Sequence, residues 1–472
     1  MKMNLKIYSL IAAGAFVLSV QSGCKKDFLQ KDPINQLTGD KISNAAGAEK
    51  LLGGAYDGMY NNPNIWDFMN NGDVIADNAY AGGDNPANIQ LDQFTTNNTN
   101  GNVVRDWTEV YGDVKNANEV LENVAKIQDP ALDAGGRKNQ ILAEASGIRA
   151  YAYFNLVRNF GAVPLVLKTP ATIAETQIKK SSVDDVYTQI INDLQFAAAN
   201  AKPTSADKWV FTQGVANALL TKVYASKTIP DWAKVNQYAD LVIANGYSLF
   251  NNYSGLFDAA NKNNSEAIWE MSFDGTRHGN WMPSIITGTG WKRFVTPTND
   301  LVKAFDDEGD VIRKNASINF RNVSTDGWSD NFWSKSNYPF VNKYRDDNKT
   351  DNYILRLSDI ILLKAEALNE LSAGGWAQSK VLVDQIRARV KLAGTPANDQ
   401  ASMRLAIEKE RRLELAFEGH RWYDLLRTKR AITVMNAQKD GNGNSLNYNV
   451  TEAKLLFPIP QVEIDRNPAI NN

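Results

Sequence analysis

Residues 407–427 read IEKERRLELAFEGHRWYDLLR, a stretch that interleaves charged and large apolar side chains. At the helical period Ile407, Arg411, Glu414, Glu418 and Arg421 fall on one stripe. Apolar residues that require burial lie between them, namely Leu415, Phe417, Trp422, Leu425 and Leu426. A solvated surface helix would scatter its charges, so we predict one helix docked against others through partly buried ion pairs. The stretch is interpreted first as a structural clamp.

A catalytic interpretation of the same stretch would use Glu414, Glu418 and His420 as ligands or as an acid and base. Their spacing is not H-E-x-x-H, and the chain has only two histidines, His278 and His420. A metal site built from several histidines is therefore excluded. The G-x-S-x-G, Walker A, dinucleotide-binding and zinc motifs are also absent, so the sequence predicts no catalytic residue, no metal site and no cofactor.

Composition and net charge indicate a globular protein and argue against nucleic-acid binding. The chain has 472 residues, 43% apolar and 22% charged, which is an ordinary balance for a globular protein with a sizeable core. Its net charge is −2, and removal of a leader containing Lys2 and Lys6 would make it −4. With no basic tract, a nucleic-acid-binding function is not expected.

Residues 1–23 have the pattern of a bacterial secretory signal peptide. Lys2 and Lys6 precede an apolar run at residues 7–20 that is too short to span a bilayer comfortably. Cys24, the only cysteine, follows small residues like the modified cysteine of a bacterial lipoprotein, although Gln21 stands where such signals usually have Leu. We expect a lipid on Cys24 and a tether over residues 24–45; the alternative is plain secretion with a free thiol.

Helical periodicity recurs in both halves of the chain. The predicted helices cover residues 46–60, 103–126, 138–159, 182–200, 211–226, 231–245, 352–371 and 377–390. Asp231 is a candidate N-cap. A helix-turn-helix solenoid would fit these short paired helices, but no clean 34-residue repeat is present. We divide the chain into an N-terminal helical region at 46–246 and a C-terminal region at 247–472.

Two segments lack helical periodicity and are rich in Asn, Gly, Asp and aromatic residues. The first, residues 61–102, is predicted to be a long loop. The second covers residues 247–344, holds five of the eleven tryptophans and contains a short predicted strand at 267–273. Aromatic rings in such a polar context indicate stacking surfaces.

Five motifs resemble those of the SusD/RagB family of outer-membrane nutrient-binding lipoproteins, and they follow in order along nearly the whole chain. They are EASGIRAYAYFNLVRNFGAVPLV at 144–166, TPTNDLVKAFD at 296–306, the leucine run followed by AEALNE at 361–370, ERRLELAFEGHRWYDLLR at 410–427, and LLFPIPQVEIDRNPAINN at 455–472. The resemblance implies a mostly α SusD-like fold with tetratricopeptide-like helix pairs, plus an irregular, loop-rich part with a few short strands. It also implies a lipid-anchored protein at the outer-membrane surface that binds a glycan and caps a SusC-like TonB-dependent transporter, with no nucleic-acid partner.

Several functions remain open at this stage. A glycan receptor needs planar aromatic faces and hydrogen-bonding side chains, and both irregular segments supply them. A RagB-type peptide receptor, a secreted glycoside hydrolase and a scaffold for protein partners are the alternatives; the 53 acidic residues make any carboxylate pair uninformative. The predicted ligand contacts are Trp66, Asp73, Asp77, Asn78, Trp281, Trp291 and Trp328. Each tryptophan could instead pack a loop onto the helices, and the three polar residues could cap turns.

Overall fold

Polar side chains at the helix starts determine where the long helices begin. In the computed structural model, which describes residues 42–288, 292–326, 330, 332–345 and 348–471, Asn44, Asn100, Ser182, Thr212 and Asp231 accept hydrogen bonds from backbone N–H groups of the first turn. Each of these bonds satisfies a donor that the helix itself leaves unpaired. The prediction that Asp231 is an N-cap is confirmed.

Seventeen α-helices lie within the described part of the chain. They are α1 Ala45–Gly58, α2 Pro86–Asp92, α3 Gly101–Val124, α4 Pro130–Asp133, α5 Arg137–Phe160, α6 Val183–Asn200, α7 Gln213–Ser226, α8 Trp232–Ile243, α9 Pro283–Ile286, α10 Asn299–Glu308, α11 Val311–Ser317, α12 Leu357–Leu371, α13 Trp376–Arg389, α14 Gln400–Glu414, α15 Arg421–Arg427, α16 Ala431–Asn436 and α17 Gln461–Arg466. The mostly α class is confirmed, and none of these helices is long and apolar enough to cross a membrane.

The long helices form one continuous array. Helix α1 packs on α3, α3 on α5, α5 on α6, α6 on α7, α7 on α8, and α8 on α12, which in turn contacts α13 and α14. Buried aliphatic side chains at helical spacing, such as Ile141, Ala145 and Ile148 of α5, supply the contacts. Helices from both halves of the sequence thus share one apolar core.

In the part of the chain that the structure describes, the strands form four two-stranded antiparallel ladders. They pair β1 Ala79–Tyr80 with β5 Thr296–Pro297, β2 Val163–Pro164 with β3 Lys180–Ser181, β4 Ala267–Met271 with β8 Asn352–Arg356, and β6 Ile318–Arg321 with β7 Tyr338–Val341. Strand β4 lies within the predicted strand. The helix predicted at 352–371 is wrong in its first turn, because Asn352–Arg356 pairs with β4 and α12 begins only at Leu357.

The prediction of one helix over residues 407–427 is wrong. Helix α14 ends at Glu414, and Phe417 and Gly419 adopt φ values of 65° and 75° before α15 begins at Arg421. A right-handed helix cannot continue through residues with positive φ. The turn instead places Glu418 beside Glu414, where both carboxylates reach the same arginine.

That arginine, Arg356, is the centre of a buried ion-pair network. It contacts Glu418 through Nε at 2.6 Å and Glu414 through Nη1 at 2.6 Å, and the Lys343 ammonium lies 2.6 Å from Glu418. Burial alone would raise the pKa of Glu418, but Arg356 and Lys343 outweigh it and lower that pKa. The prediction of buried ion pairs is therefore confirmed, in a clamp that joins strand β8 to the end of α14.

The first part of the first irregular segment, residues 63–80, is an interior element and not a surface loop. Two π-helical turns, Pro63–Asp67 and Asn70–Val74, are completely buried, and α2 follows them. The Asn352 amide donates to the carbonyls of Asn64 and Ile65 at 3.3 and 2.9 Å. The expectation of a loop over residues 61–102 is thus corrected for residues 63–80 and for α2, where tertiary contacts supply partners for the backbone, whereas residues 81–85 and 93–100 are irregular as expected.

Candidate functional site

The two irregular segments, which are far apart in sequence, meet in the structure. Tyr80 of β1 pairs with Thr296 of β5, and the next backbone N–H, that of Thr298, donates to the Asn78 carbonyl at 3.1 Å. This ladder brings aromatic side chains from residues 61–102 and from residues 274–344 to one part of the molecule. The candidate site is built around it.

One aromatic group at this junction is formed by Trp66, Trp281 and Phe294. The Trp281 ring is 39% exposed and packs edge-on against Trp66, with ring centroids 5.9 Å apart. Trp66 is only 4% exposed and also contacts Phe294 at 6.0 Å. Trp66 therefore supports the site from behind, whereas Trp281 presents its ring to solvent.

A second group is built on Tyr80, a residue of the ladder itself. Phe332 is 38% exposed and rests on Tyr80 at a centroid distance of 4.9 Å. The Asp330 carboxylate accepts hydrogen bonds from the hydroxyls of Tyr80 and Tyr338 at 2.6 and 2.5 Å. Burial, followed by these acidic and phenolic neighbours, raises the pKa of Tyr80 well above its usual range, so its hydroxyl stays protonated and orients the ring. We call Trp281 and Phe332, with their supporting rings Trp66, Phe294 and Tyr80, the aromatic surface.

Two glycines allow the chain to pass close to the aromatic surface. A Cβ atom at Gly82 would lie 2.4 Å from the Arg293 carbonyl oxygen, and Gly83 has φ +78° while facing the Phe294 ring. A larger residue at position 82 would displace the 292–296 segment, whereas at position 83 it would strain the left-handed backbone. The Gly-rich character of residues 81–83, interpreted from sequence as a turn signal, is therefore also a packing requirement of the site.

Asp73, Asp77 and Asn78 do not join this surface, because all three are buried. Asp73 accepts from the backbone N–H groups of Phe417 and Gly419 at 3.0 and 2.7 Å and from the Asn78 amide at 2.8 Å. Burial is the main reason that the pKa of Asp73 rises to about 6. The expectation that these residues contact a ligand is corrected: Asp73 and Asn78 hold the turn between α14 and α15.

Asp77 has a similar structural position, but its pKa is shifted in the opposite direction. Its carboxylate accepts from the Arg421 guanidinium at 2.6 and 2.8 Å, and Arg412 lies 3.3 Å away. Burial alone would raise the pKa of Asp77, yet the two guanidiniums lower it to about 2. The carboxylate is thus permanently charged and fully occupied by protein partners.

Of the other predicted residues, the structure describes two and leaves three undescribed. Trp281 is exposed, and its role as a ligand contact stays a prediction. Trp66 is buried, so its predicted role as a ligand contact is corrected to one of support. Trp291, Trp328 and the proposed lipid acceptor Cys24 lie outside the residues that the structure describes. Sequence analysis did not single out Phe294 and Phe332, although aromatic enrichment of the second irregular segment was the signal that could have identified them.

The structure also tests the catalytic interpretation of residues 407–427. Glu414 and Glu418 are both engaged by Arg356, and the pKa of each carboxyl is lowered, whereas a general acid needs a raised one. Burial, with Lys222, lowers the pKa of His420 to about 3. Within the described residues no three acidic, histidine or cysteine side chains are grouped to hold a metal ion.

Comparison with known proteins agrees with this arrangement. The family described as "SusD family" matches residues 315–472, and the family described as "Starch-binding associating with outer membrane" matches residues 27–225. SusD-like protein P38 of Formosa agariphila is 26% identical over 99% of this chain and 98% of its own length. The starch-binding protein SusD of Bacteroides thetaiotaomicron is 24% identical, over 69% of this chain and 71% of its own.

Solved structures show the same fold. A laminarin-binding SusD-like protein superimposes with a TM-score of 0.76 at 26% identity, covering 90% of this chain and 98% of that one. A SusD homologue from Bacteroides thetaiotaomicron gives a TM-score of 0.78 at 24% identity, over 93% and 98% of the two chains. None of these relatives is named as an enzyme, which agrees with the ion-paired state of Glu414 and Glu418. Two of these relatives are named as binding proteins, one for starch and one for laminarin, and the chain, which matches the two SusD-type families at residues 27–225 and 315–472, is a member of the SusD family.

Proposed function

We propose that this protein is a glycan-binding lipoprotein of the cell surface that captures oligosaccharides at the aromatic surface. The observation that carries the proposal is the exposed Trp281 ring held edge-on by the buried Trp66. A rigid aromatic face stacks on the C–H face of a pyranose ring at little entropic cost, because the ring is already oriented. Phe332, supported by Tyr80, provides a second such face.

The names of the relatives support a carbohydrate as the ligand, since two of them bind starch and laminarin. Trp291 and Trp328 remain candidates for further contacts, because they are neighbours in sequence of Lys292 and Asp330. Lys292 lies 4.7 Å from the Phe294 ring centroid, and Asp330 holds the Tyr80 hydroxyl. Capture would use stacking and hydrogen bonds, and no bond of the glycan would be cleaved.

The proposal includes delivery of the captured glycan to a SusC-like TonB-dependent transporter, with the protein anchored beside it through a lipid on Cys24. The family description, which refers to association with the outer membrane, supports this location. Affinity purification of the tagged lipoprotein from its native membrane should recover a large β-barrel protein in a constant ratio. Recovery of the lipoprotein alone would contradict the transporter step without affecting glycan binding.

The binding proposal is tested by calorimetric titration of the purified protein with starch-derived and laminarin-derived oligosaccharides. Trp281→Ala should weaken binding about tenfold or more, because it removes roughly 1.4 kcal/mol or more of stacking and apolar burial. Trp209→Ala is the matched control, since Trp209 is 40% exposed but packs on Tyr56, away from the aromatic surface. Equal loss in both variants, or release of shorter sugars, would refute the proposal. Binding of peptides in place of sugars would favour the RagB-type alternative.

A further inference from the structure

The exposed ring of Trp281 lies at the tip of a tight turn whose two flanking residues are buried. Asn280 is 1% exposed and Met282 0%, whereas Trp281 between them is 39% exposed. The Asn280 Oδ1 atom accepts from the Met282 N–H at 3.1 Å, so the asparagine side chain closes an Asx turn around Trp281. Because both neighbours face the interior, the middle side chain of this turn points to solvent.

The turn is the main determinant of where the Trp281 ring lies. Among the described residues, Trp66 is the only aromatic side chain that packs against this ring, and it does so edge-on at a centroid distance of 5.9 Å. One edge contact covers only part of the ring. The position of the ring therefore depends on how firmly the backbone on either side of Trp281 is held.

The remaining polar groups of Asn280 fasten the turn to the segment at 348–352. Its Nδ2 atom donates to the Thr350 carbonyl at 2.8 Å and to Asn352 Oδ1 at 3.0 Å. Its backbone N–H and carbonyl pair with those of Asn348 at 3.3 and 3.1 Å. Both ends of the Asn280 amide are thus occupied, one within the turn of Trp281 and one outside it.

Asn352 continues the connection toward Trp66. Its Nδ2 atom donates to the carbonyls of Asn64 and Ile65, the two residues before Trp66, at 3.3 and 2.9 Å. Asn352 is 2% exposed. One line of hydrogen bonds therefore runs through two buried amides, from the turn that presents Trp281 to the π-helical turn that contains Trp66.

Each of the two positions requires an amide in one orientation. Asn280 must accept from the Met282 N–H and donate at its other end, and Asn352 must accept from Asn280 and donate to two carbonyls. A flipped amide, or an aspartate at either position, would set an oxygen against a carbonyl. Hydrogen bonds that run in one direction through buried amides also polarise one another.

We propose that Asn280 and Asn352 are positioning residues of the glycan site, whose linked amides order the Trp281 ring against Trp66 before a glycan binds. The inference rests on the proposed function. Both asparagines are too deeply buried to contact a ligand, so they act on affinity through Trp281. A ring that is ordered in advance does not have to lose its conformational freedom when the sugar stacks on it.

The ordering of the ring is tested without any glycan, by ¹⁹F NMR on protein labelled with 5-fluorotryptophan. The Trp281 resonance is the one that disappears in Trp281→Phe. In Asn280→Ala this resonance should broaden or move toward the shift of a solvent-exposed indole. Asn352→Ala should act in the same direction and leaves the Asx turn closed, which makes it the milder variant. An unchanged Trp281 resonance in either folded variant would overturn the proposal.

Calorimetry with the oligosaccharides named above measures the effect on binding. Asn280→Ala should raise the Kd about three- to tenfold, the range expected when one side chain must be ordered on binding. The double variant Asn280→Ala/Asn352→Ala should bind within about twofold of the weaker single variant, because both changes break one connection. Losses that multiply in the double variant would refute that connection.

Asn118→Ala is the matched control. Asn118 is also 1% exposed, donates to the Val166 carbonyl at 2.8 Å and accepts from Arg149 at 2.9 Å, but it has no bond to either tryptophan turn. This variant should keep the Trp281 resonance and the glycan affinity. An equal loss of affinity in Asn118→Ala would mean general loosening and overturn the assignment. If Trp281→Ala itself left affinity unchanged, the proposed function would fail, whereas the NMR comparison would still decide whether the amides order the ring.

Discussion

At the scale of single residues, two nearby carboxyls of one segment have pKa values shifted in opposite directions because their partners differ. Asp73 receives neutral N–H donors, and burial raises its pKa to about 6, whereas Asp77 faces two guanidiniums and its pKa is about 2. The two residues are four positions apart and both are buried. Sequence can identify the acidic residues but not which of them meets an arginine more than 300 positions away.

Asp77→Asn is expected to lower the free energy of unfolding by about 3–5 kcal/mol at pH 7, because Arg421 would remain buried without its bidentate carboxylate. Urea-induced unfolding measures the change. Asp300→Asn is the control: Asp300 pairs with Arg412 at 2.7 Å, but its side chain is 43% exposed, so about 1 kcal/mol or less is expected. A small effect of Asp77→Asn would mean that the pair is not sequestered from water.

The pH dependence of stability should change in Asp92→Asn. Burial raises the pKa of Asp92 to about 7, above the value of about 3.9 in an unfolded chain. The folded state therefore binds the proton more tightly, and the stabilisation present at low pH is lost as pH rises from about 4 to about 7.

Asparagine cannot ionise, so this variant should lose that decline and gain up to about 4 kcal/mol over the wild type at pH 8. Chemical unfolding between pH 4 and 8 measures the difference. Asp84→Asn, at an exposed position, should follow the wild-type curve. If stability depended on pH in the same way in Asp92→Asn and in the wild type, folding would not raise the pKa of Asp92.

At the scale of elements, the backbone of the second buried π-helical turn packs directly against the backbone of the turn after α14. A Cβ atom at Gly72 would lie 2.3 Å from the Gly419 carbonyl carbon, and Gly419 itself has positive φ. The Asp73 carboxylate bridges the same two segments. This junction explains why the family motif at residues 410–427 contains a glycine between two helices.

Gly72→Ala is expected to destabilise the protein by about 1–3 kcal/mol or more, because rigid backbone cannot make room for the added methyl group. Gly54→Ala provides a control of opposite sign. Gly54 lies in exposed α1 backbone with no atom within 4 Å of the added Cβ, so alanine should stabilise by up to about 1 kcal/mol. Thermal unfolding distinguishes the two, and a neutral Gly72→Ala would contradict the close approach.

At the scale of the whole molecule, the helix array and the aromatic surface have separate tasks. The array from α1 to α14 supplies the core, and the ladder of β1 with β5 places the exposed rings of Trp281 and Phe332. The proposed anchor at Cys24 belongs to the tether region before the first helix. Membrane attachment and glycan capture should therefore be separable.

Cys24→Ala should abolish labelling with a palmitate analogue and move the protein out of the membrane fraction, since each buried CH₂ of an acyl chain contributes about 0.8 kcal/mol. Calorimetry on the released protein should give the same glycan affinity as a purified variant whose chain starts at Lys25. Trp281→Ala in the same assay should retain the label and lose binding. Continued membrane association of Cys24→Ala would point to an anchor other than a lipid.

The sequence by itself determined the helical class, the approximate bounds of eight of the longer helices and the family, because apolar periodicity, capping residues and ordered motifs are local signals. It also indicated that aromatic residues of the irregular segments form stacking surfaces. Only the tertiary structure decided that Asp73, Asp77 and Asn78 are structural and that Trp281 is exposed on a buried Trp66. Burial and ion pairing join residues hundreds of positions apart, and one-dimensional patterns carry no information about which of them meet. The break after Glu414 shows the same limit, since the backbone N–H of Phe417, in its positive-φ turn, donates to Asp73, a residue 344 positions away in sequence.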